Sequence, residues 1–139
     1  ATVFVDTGAW IAMLIGQDSR HQQAMTAFRT LPPGIRLVTS NFVVAEAVAW
    51  FVYHGYRSAS FRLRAQIQAA EQQELLHFVR VDKEIEQEAW SYLERFQDQR
   101  FSFHDCTSFA VAADYDVDYV FGFDRDFQIA GFNVRPGPG

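Results

Sequence analysis

Short β-rich segments alternate with helical segments along this chain, and this alternation restricts the fold more than any other feature of the sequence. The first such segment, TVFVD at residues 2–6, leads directly into TGAWIAMLIG, where apolar residues recur at helical spacing until Gly16. Further strands are predicted at residues 35–40, 75–81, 117–123 and 132–136. The pattern predicts an α/β fold with a mostly parallel sheet that helices cover on both faces.

The segments between the predicted strands carry helix signals. Asp18 or Ser19 can cap a helix that ends at Leu31, and Ser40 can cap the apolar segment after the second strand. A later helix begins at Asp82, and its apolar inner face comprises Ile85, Ala89, Trp90, Leu93 and Phe96. Two helices are thus predicted before residue 32, and four more follow at residues 41–53, 57–73, 82–97 and 103–115.

One domain accounts for the whole pattern. No repeat or low-complexity block interrupts residues 1–135, which we assign to a single domain, and the Pro-Gly-Pro-Gly of residues 136–139 is expected to form a loose tail. Hydrophobic residues make up 49% of the 139 residues, which is enough for a real core. The longest apolar run, residues 42–53, is too short to span a bilayer and contains Glu46, so no membrane segment is predicted.

The charge and cysteine content narrow the function classes. A net charge of −5 argues against binding nucleic acid through a basic surface alone. Two divalent cations would add +4, bring −5 to about −1 and make an acidic pocket locally positive. Cys106 is the only cysteine, which excludes an internal disulfide framework and a cysteine-based zinc cluster and suits a cytoplasmic location.

Four acidic residues are placed where an α/β fold can bring them to one edge of the sheet. Asp6 closes the first strand and Asp124 closes the fourth, while Glu46 lies in the helix after the second strand. Asp105 lies in the first turn of the helix that precedes the fourth strand. Ligands of parallel α/β sheets gather at the carboxyl ends of the strands, so these four residues are the candidate site.

Each acid also has a structural interpretation. Asp6 can be a helix N-cap, Ser102 and Asp105 can form a capping box, and Asp124 can lie in a solvated turn. Glu46 is harder to explain structurally, since it is the only charge between Phe42 and Tyr53. A carboxylate on a buried apolar helix would cost several kcal/mol unless it is paired, protonated or bound to metal.

Together the four carboxylates predict a site for Mg²⁺ or Mn²⁺, because these ions prefer oxygen ligands. The four histidines show no paired helical spacing; His104 is expected to be a partner or surface residue, and Cys106 a small core residue. Asp6-Thr7-Gly8 also matches the catalytic tripeptide of aspartic proteases. That activity needs a second such Asp in a β-rich fold, whereas here a helical pattern follows at once.

With these residues in place, the chain resembles the PIN-domain ribonucleases, most closely the VapC-type toxins of toxin-antitoxin pairs. The resemblance covers nearly the whole chain and rests on VFVDTGAWIA, VTSNFVVAEAV, FSFHDCTSFAVAADYDVDYVFGFDRDF and AGFNVRP. It implies a five-stranded parallel sheet flanked by helices. It also implies an acidic pocket that binds one or two Mg²⁺ or Mn²⁺ ions and hydrolyses RNA, leaving 5′-phosphate and 3′-hydroxyl ends.

The resemblance also assigns roles to residues. Asp6, Glu46, Asp105 and Asp124 match the family's acids in catalysis and metal binding, and Thr7 matches the small hydroxyl residue that usually follows the first acid. At Asp126 relatives often have His or another polar residue, so this residue either adds a metal contact or caps a turn. Three arginines of one predicted helix are candidates for the RNA backbone or for an ordinary solvated face: Arg57, Arg62 and Arg64.

The resemblance implies partners as well as a substrate. A cognate antitoxin is expected to block the acidic pocket with a cation, and a homodimer is expected. Two alternatives stay open: a PIN nuclease that processes RNA without being a toxin, and a catalytically silent PIN-like module that binds RNA or protein. The complete set of four acids argues against the silent module.

Overall fold

The computed structural model describes the whole chain, residues 1–139, as one sheet covered by helices. Its strands are β1 (Thr2–Val5), β2 (Arg36–Ser40), β3 (Leu76–Val79), β4 (Tyr119–Gly122) and β5 (Val134–Pro136). Its helices are α1 (Thr7–Leu14), α2 (His21–Arg29), α3 (Asn41–Tyr53), α4 (Arg57–Gln72), α5 (Lys83–Arg95), α6 (Phe103–Asp114) and α7 (Asp126–Ile129). No helix in the fold combines the length and hydropathy that a membrane-spanning segment needs.

The sheet is parallel throughout, and its strands lie in the order β3-β2-β1-β4-β5. Strand β1 is central: Val3 is paired with Leu37 of β2 on one side and with Tyr119 of β4 on the other. Val3, Phe4 and Val5 are all buried although they alternate between faces, so both faces of the sheet are covered. This confirms the predicted α/β architecture.

Most predicted elements are present, and α3 begins and ends at the predicted residues. The Ser40 hydroxyl caps α3 by accepting the Val43 amide at 3.2 Å. The predicted cap of α2 is wrong: its N-cap residue is Arg20, and the Asp18 carboxylate instead accepts the Arg20 amide in the preceding turn. Local turn bonds therefore compete with capping in this loop.

Three further expectations need correction. Trp90 is 53% exposed and packs against Phe103 at 4.7 Å between ring centroids, so it lies outside the inner face of α5. The short helix α7 was not predicted, and Asp126, expected to contact metal or cap a turn, is its first residue. The tail is held through its first two residues, because Pro136 ends β5 and the buried Gly137 donates its amide to the Gly122 carbonyl at 3.1 Å.

Candidate active site

The candidate site lies where the strand order reverses. From β1 the chain builds the sheet outward through β2 and β3, and then returns to place β4 on the other side of β1. The carboxyl ends of β1 and β4 therefore flank the switch point, where α/β proteins bind ligands. A cavity of about 420 Å³ opens there, lined by Asp6, Thr7, Gly8, Ile11, Asp18, Arg20, Glu46, Trp50, Phe123 and Asp124.

Asp6 lies between the two central strands. Its amide donates to the Phe121 carbonyl at 3.0 Å, which extends the pairing of β1 with β4 by one residue. Asp6 occupies the N-cap position of α1, yet its side chain makes no capping hydrogen bond. The capping interpretation therefore fails for this carboxylate, which faces the cavity instead.

Gly122 leaves room for the Asp6 side chain. A Cβ atom at position 122 would lie 3.2 Å from Asp6 Cβ and 3.7 Å from its Oδ2. The former distance is tighter than ordinary van der Waals contact, and the nearer atom is attached directly to the backbone. Glycine at this position therefore accommodates the close approach of β4 to the Asp6 side chain, which a larger residue would have to displace slightly.

Burial raises the pKa of Asp6 to about 7. The backbone amide of Thr7 acts in the opposite direction, and the negative charges of Asp124, Glu46 and Asp105 raise the pKa further. All four predicted acids are therefore electrostatically coupled at one edge of the sheet. A bound cation would reverse this cost, because it stabilises the ionised carboxylate.

Thr7 lies next to Asp6 in the cavity wall. Its side chain is buried, and its Oγ1 has no hydrogen-bond partner within the protein. Buried hydroxyls normally have a partner, so the unpaired Thr7 hydroxyl is an exception in this protein. Thr7 therefore forms part of the cavity wall beside Asp6, at the position of the family's small hydroxyl residue.

Glu46 reaches the cavity from α3, which begins directly after β2 without an intervening loop. Its side chain is 47% exposed, so the expectation that an apolar helix would bury this carboxylate is wrong. The residues around it are apolar because other faces of α3 pack into the core through Val43, Ala47 and Phe51. Glu46 is therefore a solvated acid at the cavity rim and pays little desolvation cost.

His104 contacts Glu46 from α6. Its Nδ1 lies 3.4 Å from Glu46 Oε2, and its Nε2 lies 2.7 Å from the Phe42 carbonyl oxygen. The carbonyl can only accept, so Nε2 carries a proton, and Nδ1 can donate to Glu46 only when the imidazole is doubly protonated. His104 is thus a partner residue, as the sequence suggested, and Cys106 beside it is buried in the core.

Asp105 forms the predicted capping box. Its Oδ2 accepts the Ser102 amide at 2.9 Å, and its own amide donates to the Ser102 hydroxyl at 3.0 Å. Asp105 does not line the cavity, although its charge raises the pKa of both Asp6 and Asp126. One carboxylate oxygen is therefore committed to the helix end, and Asp105 affects the site through its charge.

Asp124 and Asp126 form a local turn after β4. Asp124 lines the cavity, and its Oδ1 accepts the Asp126 amide at 2.9 Å. Asp126 does not line the cavity; burial and the charges of Asp124 and Asp105 raise its pKa, while Arg125 lowers it. The structure therefore places Asp124 in the site and Asp126 next to it.

The three arginines predicted to contact RNA lie on α4 and do not line the cavity. Arg62 donates to the Leu14 carbonyl at the end of α1 at 3.1 Å, and the Arg64 guanidinium lies over the Phe61 ring at 5.6 Å. Arg20 lines the cavity instead, although no sequence pattern indicated it. It lies in the irregular segment between α1 and α2, where only the tertiary fold determines which way a side chain points.

The carboxylates stand apart in the structure. No three acidic, histidine or cysteine side chains converge at the spacing of one coordination sphere. This separation agrees with the mutual repulsion that raises the pKa of Asp6. The acidic side chains that line the cavity nevertheless all offer oxygen ligands, from Asp6, Asp18, Glu46 and Asp124, and this set fits Mg²⁺ or Mn²⁺.

Comparisons with known proteins agree with this architecture. Residues 3–133 match the family model described as the PIN domain. The chain is 33% identical over 135 residues to the 23S rRNA-specific endonuclease VapC20 of Mycobacterium tuberculosis, an alignment that covers 96% of this chain and 98% of VapC20. A second strain of the same organism has an equally similar VapC20.

Solved structures show the same fold. The crystal structure of M. tuberculosis VapC20, described as a sarcin-ricin loop cleaving toxin, superimposes with a TM-score of 0.80 at 30% identity and covers 94% of this chain and 95% of that one. A toxin-antitoxin complex from Klebsiella pneumoniae superimposes with a TM-score of 0.63 at 14% identity, covering 94% and 92% of the two chains. These matches extend over nearly the whole length of the chain.

Proposed function

This chain belongs to the PIN-domain family, and we propose from its cavity that it is a Mg²⁺- or Mn²⁺-dependent endoribonuclease, the toxin of a toxin-antitoxin pair. The observation that carries the proposal is the grouping of Asp6, Glu46 and Asp124 in one cavity at the switch point of the sheet, with the charge of Asp105 close behind. The similarity to VapC20, an endonuclease that acts on 23S rRNA, supports both the activity and the substrate class.

The residues present would hold the metal as follows. Asp6 and Asp124 would be the inner ligands, since Asp6 follows β1 directly, Asp124 lies two residues after β4, and both line the cavity. Glu46 would be a ligand at the cavity rim or would orient the attacking water, and its exposed carboxylate could do either at little desolvation cost. A bound divalent ion would neutralise charge on the phosphate and acidify a water molecule for in-line attack.

The other residues of the site position these groups. Asp105 holds the start of α6 through its capping box, which places His104 against Glu46. Thr7 forms the wall of the cavity next to Asp6. The backbone amide of Asp126 donates a hydrogen bond to the Asp124 carboxylate and so orients it. We assign Thr7 and Asp126 supporting roles within this proposal.

We extend the proposal to partners. The K. pneumoniae structure of the same fold is a toxin-antitoxin complex, and that likeness supports an antitoxin for this chain. Since the cavity carries several carboxylates and one arginine, an antitoxin that inserts a cationic side chain there would be favoured electrostatically. A homodimer and a cytoplasmic location belong to the same proposal and can be checked by light scattering and by fractionation.

Cleavage of labelled RNA tests the activity. The wild-type protein should cleave RNA in Mg²⁺ or Mn²⁺, and both EDTA and Asp6→Asn should abolish cleavage. Asp98→Asn is the matched control, because Asp98 is exposed and lies outside the cavity. The ends of the products should be 5′-phosphate and 3′-hydroxyl.

The outcomes separate the alternatives. Cleavage that persists in EDTA and in Asp6→Asn would refute a metal nuclease. Binding of RNA without any cleavage by the wild-type protein would favour a silent RNA-binding module. Cleavage without toxicity on expression, and without a small neighbouring gene for an antitoxin, would favour a role in RNA processing.

A further inference from the structure

Arg20 is the only cation among the residues that line the acidic cavity. Four carboxylate residues share the cavity with it, yet none of their oxygens lies within 4.0 Å of its guanidinium, since the single ion pair of the protein joins His104 and Glu46. An arginine among acids would normally pair with one of them. Its charge is therefore available to a ligand.

Contacts on three sides hold Arg20 in place. Its backbone amide donates to Asp18 Oδ1 at 2.9 Å, and the next residue, His21, bonds through Nδ1 to the Ala12 carbonyl oxygen at 2.7 Å. The guanidinium carbon lies 4.6 Å from the centre of the Phe123 ring. Phe123 is buried and directly precedes Asp124, so the guanidinium is fixed beside a residue of the acidic group.

The Phe123 ring offers no oxygen or nitrogen acceptor, so this contact uses none of the guanidinium's N–H groups in an ordinary hydrogen bond. Arginine N–H groups lie in the plane of the group and point outward, where they match two oxygens of a phosphate. An RNA strand that presents one phosphate to the acids must bring its neighbouring phosphates along the same cavity wall. Those phosphates are repelled by the carboxylates, and Arg20 is the one lining residue that attracts them.

We propose that Arg20 binds a phosphate of the RNA backbone adjacent to the cleaved bond and so aligns the substrate with the acids. This inference rests on the proposed nuclease function and names the residue of the cavity that recognises the substrate backbone. It assigns to the segment between α1 and α2 a contact that the sequence had suggested for Arg57, Arg62 or Arg64 on α4.

Binding and cleavage are measured separately, so that each proposal can fail alone. RNA affinity is measured with the Asp6→Asn protein, which should not cleave and lacks one repelling charge. The ligands are short labelled RNAs of different sequence, and the salt concentration is varied. In that background Arg20→Gln should weaken binding about tenfold for every sequence, since a phosphate contact carries no base information. The slope of log K against log salt should fall by about 0.7 for single-stranded RNA.

Two matched variants complete the experiment. Arg57→Gln removes an equal charge from an exposed position on α4 outside the cavity and should leave affinity and salt slope nearly unchanged. Arg20→Lys keeps the charge but cannot form a bidentate hydrogen bond to a phosphate, so it should retain the salt slope and recover only part of the RNA affinity. In the nuclease with Asp6 intact, Arg20→Gln should raise KM more than it lowers kcat.

The results that would overturn the inference are specific. An RNA affinity and salt slope that Arg20→Gln leaves unchanged would exclude a phosphate contact by Arg20. A loss of RNA affinity in Arg57→Gln but not in Arg20→Gln would exclude it as well. If Arg20→Gln lowers the melting temperature, Arg20→Lys distinguishes a phosphate contact from a structural role. A salt slope that falls as far in Arg20→Lys as in Arg20→Gln, although the charge is kept, would show a purely structural role. Arg20-dependent RNA binding by a protein that never cleaves RNA would support the phosphate contact but refute the nuclease, and with it the alignment of a bond for cleavage.

Discussion

Asp6→Asn should make the metal-free protein more stable at neutral pH, because ionised Asp6 is held in an unfavourable environment. Burial and three neighbouring carboxylates raise its pKa from 3.8 to about 7. Each pKa unit corresponds to about 1.4 kcal/mol, so the difference of about three units amounts to about 4 kcal/mol at most. Asparagine cannot ionise and escapes this cost.

The sign of the pH dependence follows from the direction of the shift. The folded protein holds the Asp6 proton more tightly than the unfolded chain does, because its folded pKa is the higher one. The associated stability is therefore fully present below about pH 4 and is lost as pH rises to about 7. Asp6→Asn should gain little over the wild type at pH 4 and most at pH 7 and above.

Urea unfolding in EDTA, followed by tryptophan fluorescence from pH 4 to pH 8, measures this difference. Asp98→Asn is the control, since Asp98 is exposed outside the cavity and its variant should follow the wild-type profile. Parallel pH profiles for the wild type and Asp6→Asn would refute the electrostatic account of the cavity. Added Mg²⁺ should stabilise the wild type more than Asp6→Asn, because a ligand of the folded state raises the free energy of unfolding.

Three further substitutions test other parts of the structure. Gly122→Ala should slow RNA cleavage with little change in melting temperature, because the new methyl group would lie 3.2 Å from Asp6 Cβ; Gly16→Ala, with no atom near the added methyl, should keep the wild-type rate. Ser40→Ala should lower the free energy of unfolding by about 1 kcal/mol through the lost cap of α3, and an unchanged urea midpoint would contradict this. Trp90→Ala should cost well below the 3–5 kcal/mol or so of a buried aromatic truncation, because its side chain is 53% exposed.

Features that depend on neighbouring residues were predictable from the sequence. The bounds of α3, its Ser40 cap and the capping box of Ser102 and Asp105 all rest on bonds that span a few residues. The same holds for the end of β1 that carries Asp6, since a strand followed at once by a helical pattern defines its own end. Asp124 lies two residues beyond the end of β4. The resemblance to PIN-domain ribonucleases, carried by these segments, predicted the family correctly.

Features that depend on which side of an element faces the protein were less predictable. Glu46 was expected to be buried because its neighbours along the chain are apolar, and the structure exposes it at the rim of the cavity. Trp90 was expected to face inward on α5 and is half exposed. In both cases the periodicity gives the relative positions of residues on a helix, whereas the packing of α3 and α5 sets which face is covered.

The sequence by itself determined the order of strands and helices and put the four acids at positions that a parallel sheet can gather. Only the tertiary structure decided what surrounds them, because the cavity joins segments that are distant in the chain. It brought Arg20 from a loop without periodicity onto Phe123, and it set Gly122 against Asp6. It also left the Thr7 hydroxyl without a partner. These contacts arise where β1 and β4 lie side by side, a pairing that no local pattern encodes.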